Sequence, residues 1–194
     1  MTKSDNKNPL FSSQREKSGA RTFDKYLYQY NWALYRIISE HDEKSEYAVF
    51  IEYHEDVVVC NSLDSGKATF EFNQVKATAT KFSTYQLVHK KKNGSSVLGK
   101  LIQSVNAKPF ADRISELNLI STNDFNLQLE TEGVDLRVIR KEDLSKKQLT
   151  ELEEALKKEI AITELPSSLK FIISELSDSS YHKIIIWGNI KFDQ

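Results

Sequence analysis

The sequence predicts an α/β domain on a central sheet flanked by helices, and three observations carry that expectation. Runs rich in β-branched and aromatic residues, EYAVFIEYHEDVVVC and ATFEFNQVKATA, have strand character. Stretches of helical period precede, separate and follow the strand-like runs. The 194 residues are 39% hydrophobic, enough for one sizeable core.

Residues 1–20 are polar and charged with no apolar period, so a flexible leader is expected there and a single domain over 21–194. From Arg21, the residues Phe23, Leu27, Tyr30, Leu34, Ile37 and Ile38 recur at helical spacing and predict a helix to about Ser39, broken by HDEKSE. Tyr47 to Cys60 reads as one bent strand or as two strands meeting near His54 to Asp56. After the turn NSLDSGK, Ala68 to Ala79 is a strand, with Phe70, Phe72, Gln74 and Lys76 on one face and Glu71, Asn73 and Val75 on the other. A helix is expected over Ser95 to Val105. Short strands are expected at Leu117–Ser121, Phe125–Leu129 and Val134–Ile139. Asp143-Leu-Ser145 opens a long helix with Leu149, Leu152, Leu156 and Ile160 along one side, and strands at Leu169–Ser174 and Ile184–Trp187 close the order.

Composition removes several classes of function. No uncharged apolar run reaches the ~20 residues that span a bilayer, and the polar N-terminus is neither signal peptide nor anchor. The one cysteine, Cys60, cannot form an internal disulfide, which fits a cytoplasmic location, and in DVVVC it reads as a buried small hydrophobe. No glycine-rich phosphate loop and no histidine set with zinc spacing is present. The net charge is −1, but its distribution is lopsided. Between Phe72 and Ala111 there is no Asp or Glu, while Lys76, Lys81, Lys90, Lys91, Lys92, Lys100 and Lys108 all fall there. HKKKNGSS alone fits a solvated loop. The acid-free stretch around it points to a phosphate-facing surface, with Lys81, Lys90, Lys91, Lys92 and Lys100 as the candidate contacts to a polyanion.

One pattern carries chemistry. Phosphodiester hydrolysis needs a hard divalent cation held by oxygen ligands, and a cationic side chain to orient water or stabilise charge. An Asp at the start of one strand, and an acid or amide two residues before a Lys on its neighbour, can supply these groups on one face. Asp56 opening DVVV, followed by Gln74-Val75-Lys76, has that arrangement. An edge strand with a solvated outer face accounts for Gln74 and Lys76 equally well. His54 is a ligand candidate by position, although a histidine in a strand or turn is more often structural.

The runs SGARTFDKYLYQYNWAL, FIEYHEDVVV, FEFNQVKA and SSVLGKLI, together with Ser121-Thr-Asn123 and the helix around Leu149 to Ile160, resemble the dsDNA endonuclease domain of CD-NTase-associated effectors. The same nuclease type serves SMC-associated, Lamassu-type anti-phage systems, and both fall in the PD-(D/E)xK superfamily. The resemblance implies a restriction-endonuclease-like mixed sheet flanked by helices and Mg²⁺-dependent (or Mn²⁺-dependent) cleavage of double-stranded DNA, which makes DNA the polyanion for Lys81, Lys90, Lys91, Lys92 and Lys100. It assigns Asp56, Gln74 and Lys76 to the catalytic set, Asp56, Gln74 and Glu52 to the metal, and Gln29 as a candidate helical contributor. Gln74 stands where many superfamily members have Glu; its amide oxygen is a neutral and weaker ligand than a carboxylate, which raises the weight on Glu52. The resemblance further implies a homo-oligomer on activation, a defence-system partner or C-terminal sensor domain, and a chain that is the front part of a longer effector. A DNA-binding or assembly module that kept the fold without cutting is the alternative.

Overall fold

The computed structural model describes residues 18–44, 46–90, 92 and 94–174, with side chains from residue 26 onward. The sequence-predicted architecture is present: a six-stranded mixed sheet with one long helix on one face and the other helices opposite. That long helix, α1 (Ser18–Glu43), starts before Arg21 and continues through His41, Asp42 and Glu43. Glu40 explains the extension. It pairs with Arg36 one turn back and Lys44 one turn on, so the charged segment is tied into the helix.

α1 also turns an unexpected side to the sheet. Tyr28, Trp32 and Ala33 are buried against Val57, Val75 and Ile120, whereas Leu27, Tyr30, Leu34, Ile37 and Ile38 stay exposed. The helix carries two apolar stripes, and Arg36 helps select between them. It lies one turn beyond Trp32 and reaches Glu71 on the sheet at 2.8 Å. The Arg36 contact also fixes direction, since Glu71 lies at the start of the strand Phe70–Lys76 while Val75, in the same cluster as Tyr28 and Trp32, lies near its end.

The described strands are β1 (Ala48–Tyr53), β2 (Glu55–Cys60), β3 (Phe70–Lys76), β4 (Phe82–Ser83), β5 (Ile114–Ser121), β6 (Phe125–Asn126), β7 (Val138–Arg140) and β8 (Leu169–Ile173). The remaining α-helices are α2 (Thr84–Val88), α3 (Val97–Val105) and α4 (Lys146–Ile160). The main sheet runs β1-β2-β3-β5-β8-β7. Neighbours are antiparallel at β1/β2, β2/β3 and β7/β8 and parallel at β3/β5 and β5/β8. The run from Tyr47 to Cys60 is therefore two strands, divided at His54, which takes the left-handed conformation at φ 65°.

α2 is a helix within the lysine-rich segment that apolar period did not predict. Its signal is a capping box, in which Ser83 and Gln86 satisfy each other's backbone N–H groups. The strands expected at Phe125–Leu129 and Val134–Ile139 shorten to β6 and β7, because turns and bends occupy most of residues 130–137. The strand expected at Ile184–Trp187 and residues 1–17 of the leader expected over 1–20 lie outside the described residues, while residues 18–20 of that leader form the first turn of α1.

Alternation divides the sheet between two cores. Val58, Phe72, Leu117, Leu119 and Phe171 pack with Leu98, Leu101 and Ile102 of α3 and Leu152 and Leu156 of α4. Each such buried side chain contributes ~1.5–3 kcal/mol relative to exposure. α3 is held close to α4 at Gly99, where a Cβ would stand 2.4 Å from Glu159 Oε1. That carboxylate accepts the Ser96 N–H at 2.8 Å, so the glycine in SSVLGKLI permits a cap across helices. This contact fixes α3, and with it Lys100 and Ser104.

Candidate active site at the end of β3

The β2–β3 ladder follows its register from Cys60↔Phe70 to Val57↔Asn73 and then stops. Past that point a side chain replaces the strand backbone as partner. Asp56 Oδ2 accepts the Val75 N–H at 2.8 Å, and the same oxygen lies 3.5 Å from Lys76 Nζ. Aspartate suits this position because its short carboxylate can satisfy a neighbouring backbone donor and still present a second oxygen. Thr122 fixes the chain beyond Lys76: its N–H donates to Lys76 O at 3.2 Å, and its Oγ1 accepts from Thr78 N at 2.9 Å.

Alternation along β3 works as the sequence predicts. Val75 packs beneath α1, while Phe72 joins the core under α3. Glu71 faces α1, where Arg36 meets it. Gln74, only 1% exposed, donates from Nε2 to Glu55 Oε2 at 3.1 Å. The structure thus brings Asp56, Gln74 and Lys76 together and adds Glu55, which sequence reasoning missed. Burial first, and then the Asp56 charge, push the Glu55 carboxyl up to about 7, a rise that the Ser104 hydroxyl and the Lys100 and Lys76 charges hold back in part. Lys100 and Ser104 belong to α3, so that helix borders the site.

Glu55 Oε1 and Gln74 Oε1 are both buried and have no hydrogen-bond partner. Unmatched acceptor oxygens beside a carboxylate are costly unless a cation or donor meets them. No group of three or more His, Cys, Asp or Glu placed to hold a metal occurs among the described residues. Two carboxylates and an amide nevertheless fit a small hard cation, which keeps several waters and takes only one or two protein carboxylates.

The other candidates divide. Glu52 is exposed near the β1–β2 turn, at φ 56°, and no hydrogen bond or ion pair links it to Asp56 or Gln74. His54 packs its ring 4.5 Å from Tyr53 and 5.2 Å from Phe110, which gives it an aromatic, structural setting. Gln29 lies on α1, half-buried, next to Tyr28, which packs on the sheet beside the site; its buried Oε1 has no hydrogen-bond partner. Lys81 is exposed and pairs with Asp124 at 2.5 Å. Lys90, Lys92 and Lys100 are exposed, and Lys91 lies outside the described residues. An open cavity of about 510 Å³ between residues 127 and 134, Ser145 and Lys147 shares no residue with this site.

A mixed sheet, a helix on one face, helices on the other and polar groups gathered where β2 leaves β3 make this an α/β domain of restriction-endonuclease-like fold. The family model described as Cap4, dsDNA endonuclease domain, matches residues 17–191. The chain belongs to that family, as the resemblance in its sequence implied. Comparisons with curated proteins and with solved structures found no match.

Proposed function

We propose that this domain hydrolyses phosphodiester bonds of double-stranded DNA with Mg²⁺ or Mn²⁺, as an effector nuclease of anti-phage defence acting in the cytoplasm. The observation that carries the reading is the meeting of Asp56, Gln74 and Lys76 at one strand end, with the buried Gln74 Oε1 lacking a hydrogen-bond partner. A bound divalent cation supplies Lewis-acid polarisation of the phosphate and lowers the pKa of the attacking water. Asp56 and Gln74 hold it, since oxygen donors without a thiolate or imidazole favour a hard ion. Lys76, paired with Asp56 in this structure, keeps its ammonium at the site to orient water or to balance charge on the phosphate. Gln29 approaches from α1 as a helical contributor.

Lys90, Lys91, Lys92 and Lys100 contact DNA phosphates in this reading; Lys81 does so only by exchanging Asp124 for a phosphate. The exposed apolar residues along α1 support assembly into a homo-oligomer on activation. Control by a defence-system partner or a C-terminal sensor domain accords with the hazard of an unregulated nuclease to its own chromosome. The test is plasmid cleavage by the full-length protein with its natural activator, with Mg²⁺ and with excess EDTA. Cleavage is expected only with Mg²⁺, and undiminished cutting in EDTA would refute the metal's role. DNA binding without cleavage under either condition would support the silent DNA-binding alternative.

A further inference from the structure

We propose that Glu55, rather than Glu52, is the second carboxylate of the metal site, supplying its Oε1 beside Asp56 and Gln74. The inference rests on the proposed metal-dependent reading and names the ligand that Gln74, being neutral, leaves wanting. Glu55 is 6% exposed and is fixed by the Gln74 Nε2 hydrogen bond to its Oε2, which leaves the buried Oε1 without a hydrogen bond. The Gln74 amide is oriented by the same bond. With Nε2 directed at Glu55, its Oε1 is the atom left for a cation. One hydrogen bond thus aims both donor oxygens, and Asp56 is the adjacent residue in the chain.

Charge supports the same assignment. A hard divalent ion is bound more tightly as carboxylates are added to its shell. Asp56 alone gives a single negative charge, already shared with Lys76. Glu55 brings the protein ligands to two negative charges and one amide, without the Glu that many superfamily members have in place of Gln74. Glu52 has no comparable placement: it is exposed, and nothing in the site holds it. A buried carboxylate oxygen without a hydrogen bond is also hard to account for as packing alone, because the Ser104 hydroxyl and the nearby lysine charges offset only part of its desolvation cost.

The experiment measures Mn²⁺ binding to the full chain without DNA, by calorimetry and by the paramagnetic signal of bound Mn²⁺. Wild type is compared with Glu55→Gln, Glu55→Asp, Glu52→Gln and Asp56→Ala, and circular dichroism reports folding. Glu55→Gln is expected to weaken Mn²⁺ binding about tenfold or more. Glu55→Asp should fall between it and wild type, and Glu52→Gln should match wild type. If Glu55→Gln binds Mn²⁺ as wild type does while Asp56→Ala does not, Glu55 is not a ligand and the wider site reading stands. If Glu52→Gln alone weakens binding, the ligand is Glu52. If wild type itself does not bind Mn²⁺, the metal reading fails together with this one.

Discussion

Replacing Glu55 with glutamine in the metal-free protein should make the fold more stable at alkaline pH and leave it nearly unchanged at acidic pH. Burial and the Asp56 charge raise the Glu55 carboxyl from 4.5 to about 7 in the folded chain. Between those values the folded state holds a proton that the unfolded state has released. Wild-type stability therefore falls as pH rises through this window, and the full penalty is present above about 7. At ~1.36 kcal/mol for each tenfold change in proton affinity, the penalty is about 3 kcal/mol. Glutamine keeps the shape, can still accept from Gln74 Nε2, and does not titrate. Burial also raises the Glu71 carboxyl, but that contribution is common to both proteins and cancels in the difference. The assay is thermal melting of wild type and Glu55→Gln in EDTA at pH 5 and pH 8. A chain of this size gains ~2–4 °C per kcal/mol, so the variant should melt about 6–12 °C higher at pH 8. An equal difference at both pH values, or a wild type that is the more stable at pH 8, would refute the burial argument.

Two further outcomes follow from the packing and the charge distribution. Gly99→Ala should cost ~1–3 kcal/mol, because its methyl would displace the Glu159 carboxylate from the Ser96 N–H; chemical denaturation measures this, and an unchanged midpoint would show that α3 and α4 have room there. Replacing Lys90, Lys91 and Lys92 with alanine should weaken binding to all DNA sequences alike. It should also flatten the log–log salt dependence by about one per lost contact; an unchanged slope would make HKKKNG a solvated loop.

Much of the candidate site's arrangement was legible because β3 obeys a period of two. FEFNQVK places Gln74 and Lys76 on one side, and Val75 packs beneath α1 as that pattern requires. Glu55 was not legible for a related reason. Strict alternation along β2 sets it on the side of Val57, away from Gln74, but the β2–β3 ladder ends at Val57↔Asn73 and the two side chains meet beyond it. The Glu55-Asp56 pair at the head of an apolar strand was the available signal. α1 was legible as a helix but not in its facing, since Leu27, Tyr30 and Leu34 match the period as well as Tyr28 and Trp32 do. The pairing of Arg36 with Glu71, 35 residues apart, helps decide which stripe the sheet accepts, and no local pattern announces it.

The most direct test of the account separates cutting from binding and folding at the strand end where Asp56 meets Lys76. Cleavage of plasmid, affinity for DNA and thermal melting are measured for activated wild type, Asp56→Ala and Lys76→Ala. Asp56→Ala should abolish cleavage by removing a carboxylate of the proposed metal site, and Lys76→Ala should abolish it while Mn²⁺ still binds. DNA affinity should persist in both, because the proposal gives most phosphate contacts to the exposed lysines outside the site. Both variants should remain folded, although Asp56→Ala also loses the bond from the Val75 N–H and should melt somewhat lower. A folded variant of either kind that cuts DNA at the wild-type rate would contradict the assignment of this site.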